Sequence, residues 1–206
     1  MIPKSTINEG ASGKCEVIKF TVSKKDSDFF NMRQMFNGHN RTVNPGEYTK
    51  LIDKENMCLW MSDTPAELRD HYDMYHEAKG NVLINGLGLG VVVVACLLKE
   101  EVDLVVVNEI NPDIIKLVAP QLFKQFSPKK SLIINEISAF DYHPKKLRFD
   151  TIWHDIWANI DIINHPEYVK LMRRYGHWKK SGGFHNCWAY YEIKRMKREE
   201  NKGWWG

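Results

Sequence analysis

The run Val82-Leu83-Ile84-Asn85-Gly86-Leu87-Gly88-Leu89-Gly90 limits the architectures open to this 206-residue chain more than any other segment. A short apolar stretch bounded by glycines reads as a buried strand, and the glycines let the backbone turn sharply and approach a ligand closely. Residues 91–99 continue as an apolar helix, 102–107 read as a second buried strand, and Glu109 stands nineteen residues after Gly90. A helix opening straight after such a turn presents unpaired N–H groups, and an acidic side chain ending the second strand is placed to accept both hydroxyls of a ribose. The pattern is Gly-x-Gly-x-Gly, with Val91 where the dinucleotide fingerprint has its third glycine. That points away from NAD and toward an adenosine without a pyrophosphate.

The neighbouring segments keep up the alternation. Residues 65–78 read as a helix, with Ser62 or Asp63 as cap, Pro65 in its first turn, Leu68, Tyr72, Tyr75 and Ala78 at helical spacing, and Gly80 as the stop. Residues 112–123 read as a helix capped by Asn111, and 131–134 and 149–153 as two more strands. Strands and helices alternating at this interval imply βαβ crossovers and a parallel sheet. The start of the chain is different. Residues 1–14 are small and polar, as a frayed end is, and 15–22, 47–52 and 57–61 read as strands. Residues 28–36 form a short helix stopped near Gly38, and Asn44-Pro45-Gly46 is a turn. After Asp155 the sequence reads as a helix over 166–175 ending at Gly176, a break at Ser181-Gly182-Gly183, and a basic, aromatic-bearing helix over 187–200, with no further strand. The expected organisation is a β-containing appendage (1–62), an α/β core (63–160) and a basic helical cap (161–206).

Composition excludes several classes. A hydrophobic content of 43% with only 13 glycines and 8 prolines does not describe a disordered or low-complexity chain, and this length can bury a core without staples. The four cysteines, Cys15, Cys58, Cys96 and Cys187, form no Cys-x-x-Cys pair and suit buried thiols in a reducing compartment. Residues 1–6 hold no apolar run of signal-peptide length, and the longest apolar stretch, 82–98, is broken by Asn85 and glycines. The expectation is a cytoplasmic protein with no membrane partner. A net charge of +3 is too mild for a surface given over to nucleic acid. From Tyr168 onward, however, ten basic residues face three acidic ones, interleaved with Tyr175, Trp178, Trp188, Tyr190 and Tyr191. Such a segment can stack on bases or meet an acidic partner. A solvated helix whose aromatic face covers the sheet is the favoured reading, because Trp188 and Tyr191 fall at helical spacing. Trp204-Trp205 is explained by neither.

Taken together, these residues resemble the class I S-adenosylmethionine-dependent methyltransferases, and within that superfamily most of all the spermidine-synthase-like branch. The resemblance runs over about half the chain, 51–155. It rests on the 65–78 helix, the glycine run, Val105-Val106-Val107-Asn108-Glu109-Ile110-Asn111-Pro112-Asp113, Asn135-Glu136-Ile137-Ser138-Ala139-Phe140-Asp141-Tyr142, and Phe149-Asp150-Thr151-Ile152-Trp153-His154-Asp155. It implies a three-layer, Rossmann-like α/β fold with a mostly parallel sheet, here with a small N-terminal β appendage and a helical C-terminal cap in place of the usual last strands. It further implies that Gly86, Gly88 and Gly90 pass beneath the methionine and ribose of S-adenosylmethionine, that Glu109 holds the ribose diol and that Ile110 packs on the adenine. Ser138 and Ala139 fall where the family commonly has Asp-Ala at the adenine amino group, and Asn85 where most members place an acid. Asp155 would face the sulfonium and the acceptor.

Methyl transfer from a sulfonium is an in-line displacement, so a protein contributes alignment and, for a protonated acceptor, a base. Asp155 can orient or deprotonate, His154 can shuttle a proton and Trp157 offers a flat wall, which suits an amine, hydroxyl or planar acceptor. His154 and Trp157 can equally pack at a strand end, and for His154 that reading is favoured. The (Asp/Asn)-Pro-Pro-(Tyr/Phe) tetrapeptide is absent, and Trp157, Ala158 and Asn159 replace most of the Asp-Ser-Ser-Asp-Pro run of polyamine aminopropyltransferases. No zinc-ligand spacing, Gly-x-Ser-x-Gly elbow or Walker lysine loop occurs. The expected function is therefore methyl transfer from S-adenosylmethionine to an acceptor, small molecule or nucleic acid, that the sequence does not identify. Aminopropyl transfer, cleavage of the donor by a lyase and non-catalytic nucleoside binding stay open, as does the oligomeric state.

Overall fold

The computed structural model describes residues 2–36, 41–126 and 131–203. Gly38 and Trp204-Trp205 lie outside the described residues. The N-terminal unit is a four-stranded antiparallel sheet of β1 (Gly10–Ser12), β2 (Cys15–Val22), β3 (Gly46–Asp53) and β4 (Cys58–Ser62), in that order, with α1 (Lys24–Phe36) between β2 and β3. Residues 2–14 are anchored rather than frayed. Ile2 and Ile7 are buried, and Ser12 Oγ donates to Asp113 Oδ1 at 2.9 Å. These apolar side chains are isolated in sequence, which hid a segment that gains its order only by packing on the core.

Two short helices, α2 (Pro65–Asp70) and α3 (Tyr72–Glu77), replace the single helix expected over 65–78. The break is His71, whose backbone (φ −96, ψ 4) leaves the helical well. Neither Ser62 nor Asp63 is the cap; that place falls to Thr64. Asp63 instead accepts the N–H groups of Thr49 (2.6 Å) and Ser5 (3.0 Å), tying β3 and the N-terminal segment together.

The core sheet holds β5 (Gly80–Asn85), β6 (Val102–Glu109), β7 (Ser131–Glu136), β8 (Phe149–His154) and β9 (Lys179–Cys187), all parallel, in the order β7-β6-β5-β8-β9. The crossovers run through α4 (Val91–Leu97), α5 (Pro112–Phe126) and α6 (His165–Tyr175), and α7 (Tyr190–Gly203) follows the last strand. Val82, Leu83, Ile84, Val105, Val106 and Val107 are all buried, as strands covered on both faces must be. Asn111 caps α5 as expected, its Oδ1 accepting Asp113 N–H at 2.9 Å.

The α/β expectation holds, and the sheet is larger than the sequence suggested. Residues 179–187, read as a break and the start of a helix, form the fifth strand, with a register shift between Phe149 and Thr151 of its partner. An edge strand has a neighbour on one side only, and this one opens with two lysines, so the apolar run that marks the inner strands is missing. The last helix therefore starts at Tyr190. Trp188 lies before it, Tyr191 is exposed, and Ile193 is the fully buried side chain of its apolar face. No helix among the described residues is long and apolar enough to cross a membrane.

In the order β7-β6-β5-β8, the chain leaves β5 toward β6 on one side while β8 closes on the other. Ligands of open parallel sheets bind at such a reversal, outside the carboxyl ends of the strands. Here those ends are Asn85, Glu109, Glu136 and His154.

Candidate functional site

Beyond β5 the backbone turns through Gly86 and Gly88, both with left-handed φ (100° and 49°). At Gly86 nothing larger fits, since a Cβ would lie 1.9 Å from the carbonyl oxygen of Asp155. The approach is fixed from both sides: Gly86 N–H donates to Asn108 O and Asp155 N–H to Asn85 O, each at 2.8 Å. A Cβ on Gly88 would meet Met61 Sδ at 2.6 Å, so the turn lies directly under β4.

Glu109 ends β6 with its carboxylate on this turn. Oε2 accepts the N–H of Leu87 at 2.9 Å and Oε1 that of Asn111 at 2.8 Å. A carboxylate offers about four lone-pair sites, so two remain for a ligand. After β7, Ser138 accepts Phe140 N–H (3.1 Å) and Ala139 is buried, while Ile110 stands at the rim, 69% exposed. Gly86, Gly88, Glu109, Ile110, Ser138, Ala139 and Asp155 line one cavity of about 620 Å³, which the N-terminal sheet roofs with Trp60 and Met61. Gly90 belongs to the same turn but sits behind it, against Leu122 and Val118 of α5.

The opposite wall is acidic. Asp155, immediately after β8, shares it with Glu67 and His71 of the α2–α3 break. Burial first, and then the nearby charges of Glu67, Asp70 and Glu109, push the Asp155 carboxyl up to about 8. Burial likewise raises Glu67, whose oxygens accept the N–H and hydroxyl of Ser62. His71 is buried with its Nε2 3.7 Å from Asp155 Oδ2 and no partner for Nδ1, and burial lowers it to about 4. Arg41 is committed to Asp70 at 2.8 Å. Trp157, also in this wall, anchors its Nε1–H on Glu167 at 2.7 Å.

Besides Gly90, two expected site residues are not in the cavity lining. Asn85 and His154 are fully buried on the face that α6 covers. Asn135, Asn108, Asn85 and His154 lie side by side on four adjacent strands, so their side chains share a face, and of these four Asn108 reaches the cavity lining. They form a chain of hydrogen bonds across the sheet. Asn135 Nδ2 donates to Asn108 Oδ1 (3.0 Å), Asn108 Nδ2 to Asn85 Oδ1 (2.8 Å), and Asn85 Nδ2 meets His154 Nδ1 (2.7 Å). His154 Nε2 then meets His185 Nε2 of β9 at 2.9 Å. With Nδ1 accepting from Asn85, His154 carries its proton on Nε2 and has no free nitrogen for a proton shuttle; burial holds it well below the usual histidine range. Asn85 is equally committed and offers nothing to a ligand's ammonium group.

Glu67, His71 and Met61 were missed. Met61 comes from β4, the last strand of the N-terminal sheet, and Glu67 and His71 from the α2–α3 segment after it, which the sequence presented as one plain helix. The only cue was a histidine interrupting a helical pattern.

No protein-family model and no curated protein matches the chain. Among solved structures it is similar to the 23S rRNA methyltransferase ErmE, at 19% identity over 42% of this chain and 32% of that one, with a TM-score of 0.31. It is similar to spermidine synthase from Thermotoga maritima at 16% identity over 76% of this chain and 48% of that one, TM-score 0.42. The third is the Δ1-pyrroline-2-carboxylate reductase of Thermococcus litoralis, solved with NADH and L-proline, at 13% identity over 74% and 50% of the two chains, TM-score 0.30. The chain thus spans at most half the length of these proteins.

Proposed function

We propose that the chain binds S-adenosylmethionine along the carboxyl edge of its sheet and transfers the methyl group to an acceptor that gives up a proton. The observation carrying this reading is the order of groups along that edge. Ser138 follows β7, Glu109 ends β6, the glycine turn follows β5 and Asp155 follows β8, all in one cavity. Strands about 4.8 Å apart place the first and last about 14 Å apart, a span that suits base, sugar and 5′ arm in sequence. The residues fit such a nucleoside: the turn has no side chain at Gly86, and the carboxylate beside it keeps two acceptor sites.

When bound, the nucleoside supplies an electrophilic methyl group on its sulfonium. Glu109 holds the ribose, Ile110 and Ala139 cover the base, and Ser138 offers it a hydroxyl. Asp155 stands beyond the turn, where it aligns the acceptor and takes its proton as the carbon–sulfur bond breaks. A carboxyl near 8 is a poor base at neutral pH in the empty cavity. A cation within about 4–6 Å favours its ionised form, so Asp155 becomes a base only beside a positive ligand.

Aminopropyl transfer from the decarboxylated donor is the alternative. Asn85 is turned into the sheet and gives no acidic group to the ammonium that both donors carry, so it does not choose between them. Labelled donors separate the alternatives. Methyl-labelled S-adenosylmethionine incubated with fractionated extract is expected to pass its label to a product, and the propyl-labelled decarboxylated donor is not. Propyl label in a product would establish aminopropyl transfer. Thioadenosine released without acceptor would mean a lyase, and unchanged donor a binding protein.

A further inference from the structure

Met61 has a position that the proposed reaction does not use. It is the fourth residue of β4, and its thioether lies on the glycine turn, with Sδ accepting the N–H of Leu89 at 3.4 Å. The same sulfur stands 2.6 Å from where a Cβ on Gly88 would be, so it rests directly on the turn backbone. Met61 also lines the cavity, next to Trp60. The N-terminal sheet therefore places a flexible, unbranched side chain over the turn at the carboxyl end of β5.

Strand order identifies the part of a ligand this side chain opposes. With the sugar on Glu109 and the base over Ser138, the 5′ arm of a nucleoside runs onto the turn after β5, where Met61 sits. A methylthio group is short enough to stop before it. A longer arm ending in an amino acid needs the space over Gly88 and the Leu89 N–H, and both are occupied by Met61. Methionine has three rotatable bonds and a weak sulfur acceptor, so it can be displaced at modest cost.

We propose that Met61 is a specificity-determining residue. Its thioether fills the seat of the amino-acid end, and so sets how strongly the cavity distinguishes 5′-thioadenosines with that end from those without it. The inference rests on the adenosyl reading above. For methyl transfer Met61 has to swing aside, because the donor and the S-adenosylhomocysteine it leaves both carry the amino-acid end.

Calorimetric titration of wild type, Met61→Ala and Met61→Leu with 5′-methylthioadenosine and with S-adenosylhomocysteine tests it. Met61→Ala is expected to tighten S-adenosylhomocysteine about tenfold and to leave methylthioadenosine within about threefold. Met61→Leu keeps the bulk and is expected to leave both within about threefold of wild type. As a readout that needs no variant, the 13C-labelled Met61 methyl resonance is expected to move with S-adenosylhomocysteine and to stay with methylthioadenosine. An equal change for both ligands in Met61→Ala, or a methyl signal that responds alike to both, overturns the inference while the adenosyl reading stands. If neither nucleoside binds any of the three proteins, the adenosyl reading fails and takes this inference with it.

Discussion

Replacing Asp155 by asparagine is expected to abolish transfer and, at alkaline pH, to make the protein more stable. Both effects come from the same burial. The folded carboxyl titrates at about 8, against the 3.8 of an exposed aspartate, so between those values the folded chain holds a proton that the unfolded chain has lost. The favourable contribution of this group is therefore complete below about pH 4, declines as pH rises, and is gone above 8. Asparagine has nearly the same shape and cannot ionise. The variant and wild type should have similar stability at pH 4, and at pH 9 the variant should lead by on the order of 3 kcal/mol, after allowance for relaxation around the charge. Denaturant melts at the two pH values measure this. Transfer should fall at least about a hundredfold, the usual scale for removing a positioned base. Equal stability at pH 9 would mean that the carboxyl is well solvated when ionised, and its role as a partly buried proton acceptor would be lost.

Gly86→Ala should cost more stability than any other change at a single glycine of the core edge. The methyl group would meet the backbone oxygen of Asp155 at 1.9 Å, and backbone cannot swing aside as a side-chain end can. The φ of 100° adds strain for any residue with a Cβ. Clash and strain together come to on the order of 4 kcal/mol, or roughly 10 °C in Tm for a chain of this size. Gly176 is the control. It sits in the right-handed helical region with nothing within 4 Å of its would-be Cβ. Gly176→Ala should be neutral or stabilising by up to about 1 kcal/mol. Thermal melts of the two variants beside wild type settle the contrast. A Gly86→Ala protein melting within about 2 °C of wild type would mean that the turn does not hold β5 against β8 as described.

The inner strands were legible because a strand covered on both faces must be apolar without interruption, and 82–84 and 105–107 are. The fifth strand was not, because an edge strand is spared that demand and this one carries Lys179, Lys180 and two glycines. Glu109 and the glycine turn were legible for a different reason, since their spacing reflects one strand and one helix of standard length. Asn85 was placed at the right strand end but given to the cavity, whereas His154 packs at its strand end, the reading the sequence favoured over a proton shuttle. A one-residue step along a strand reverses its face, and only register shows which residues share one. A trace of this was present in the sequence. Asn85-Gly86, Asn108-Glu109, Asn135-Glu136 and His154-Asp155 repeat a polar residue just before each turn, the mark of a ladder across the sheet. Met61, Glu67 and His71 had no such trace, because their roles arise from how the N-terminal unit folds over the core.

The central claim is that a ribose lies on the carboxylate of Glu109. A double-mutant cycle addresses it most directly, with wild type and Glu109→Ala each titrated with S-adenosylhomocysteine and with its 2′,3′-dideoxy counterpart. Two hydrogen bonds from hydroxyls to a buried carboxylate should make wild type lose about a hundredfold when the diol is removed. Glu109→Ala should bind the natural nucleoside about as weakly as wild type binds the dideoxy form, and should distinguish the two ligands by less than about threefold. Equal losses in both proteins, or unchanged affinity of Glu109→Ala for S-adenosylhomocysteine, would contradict the account.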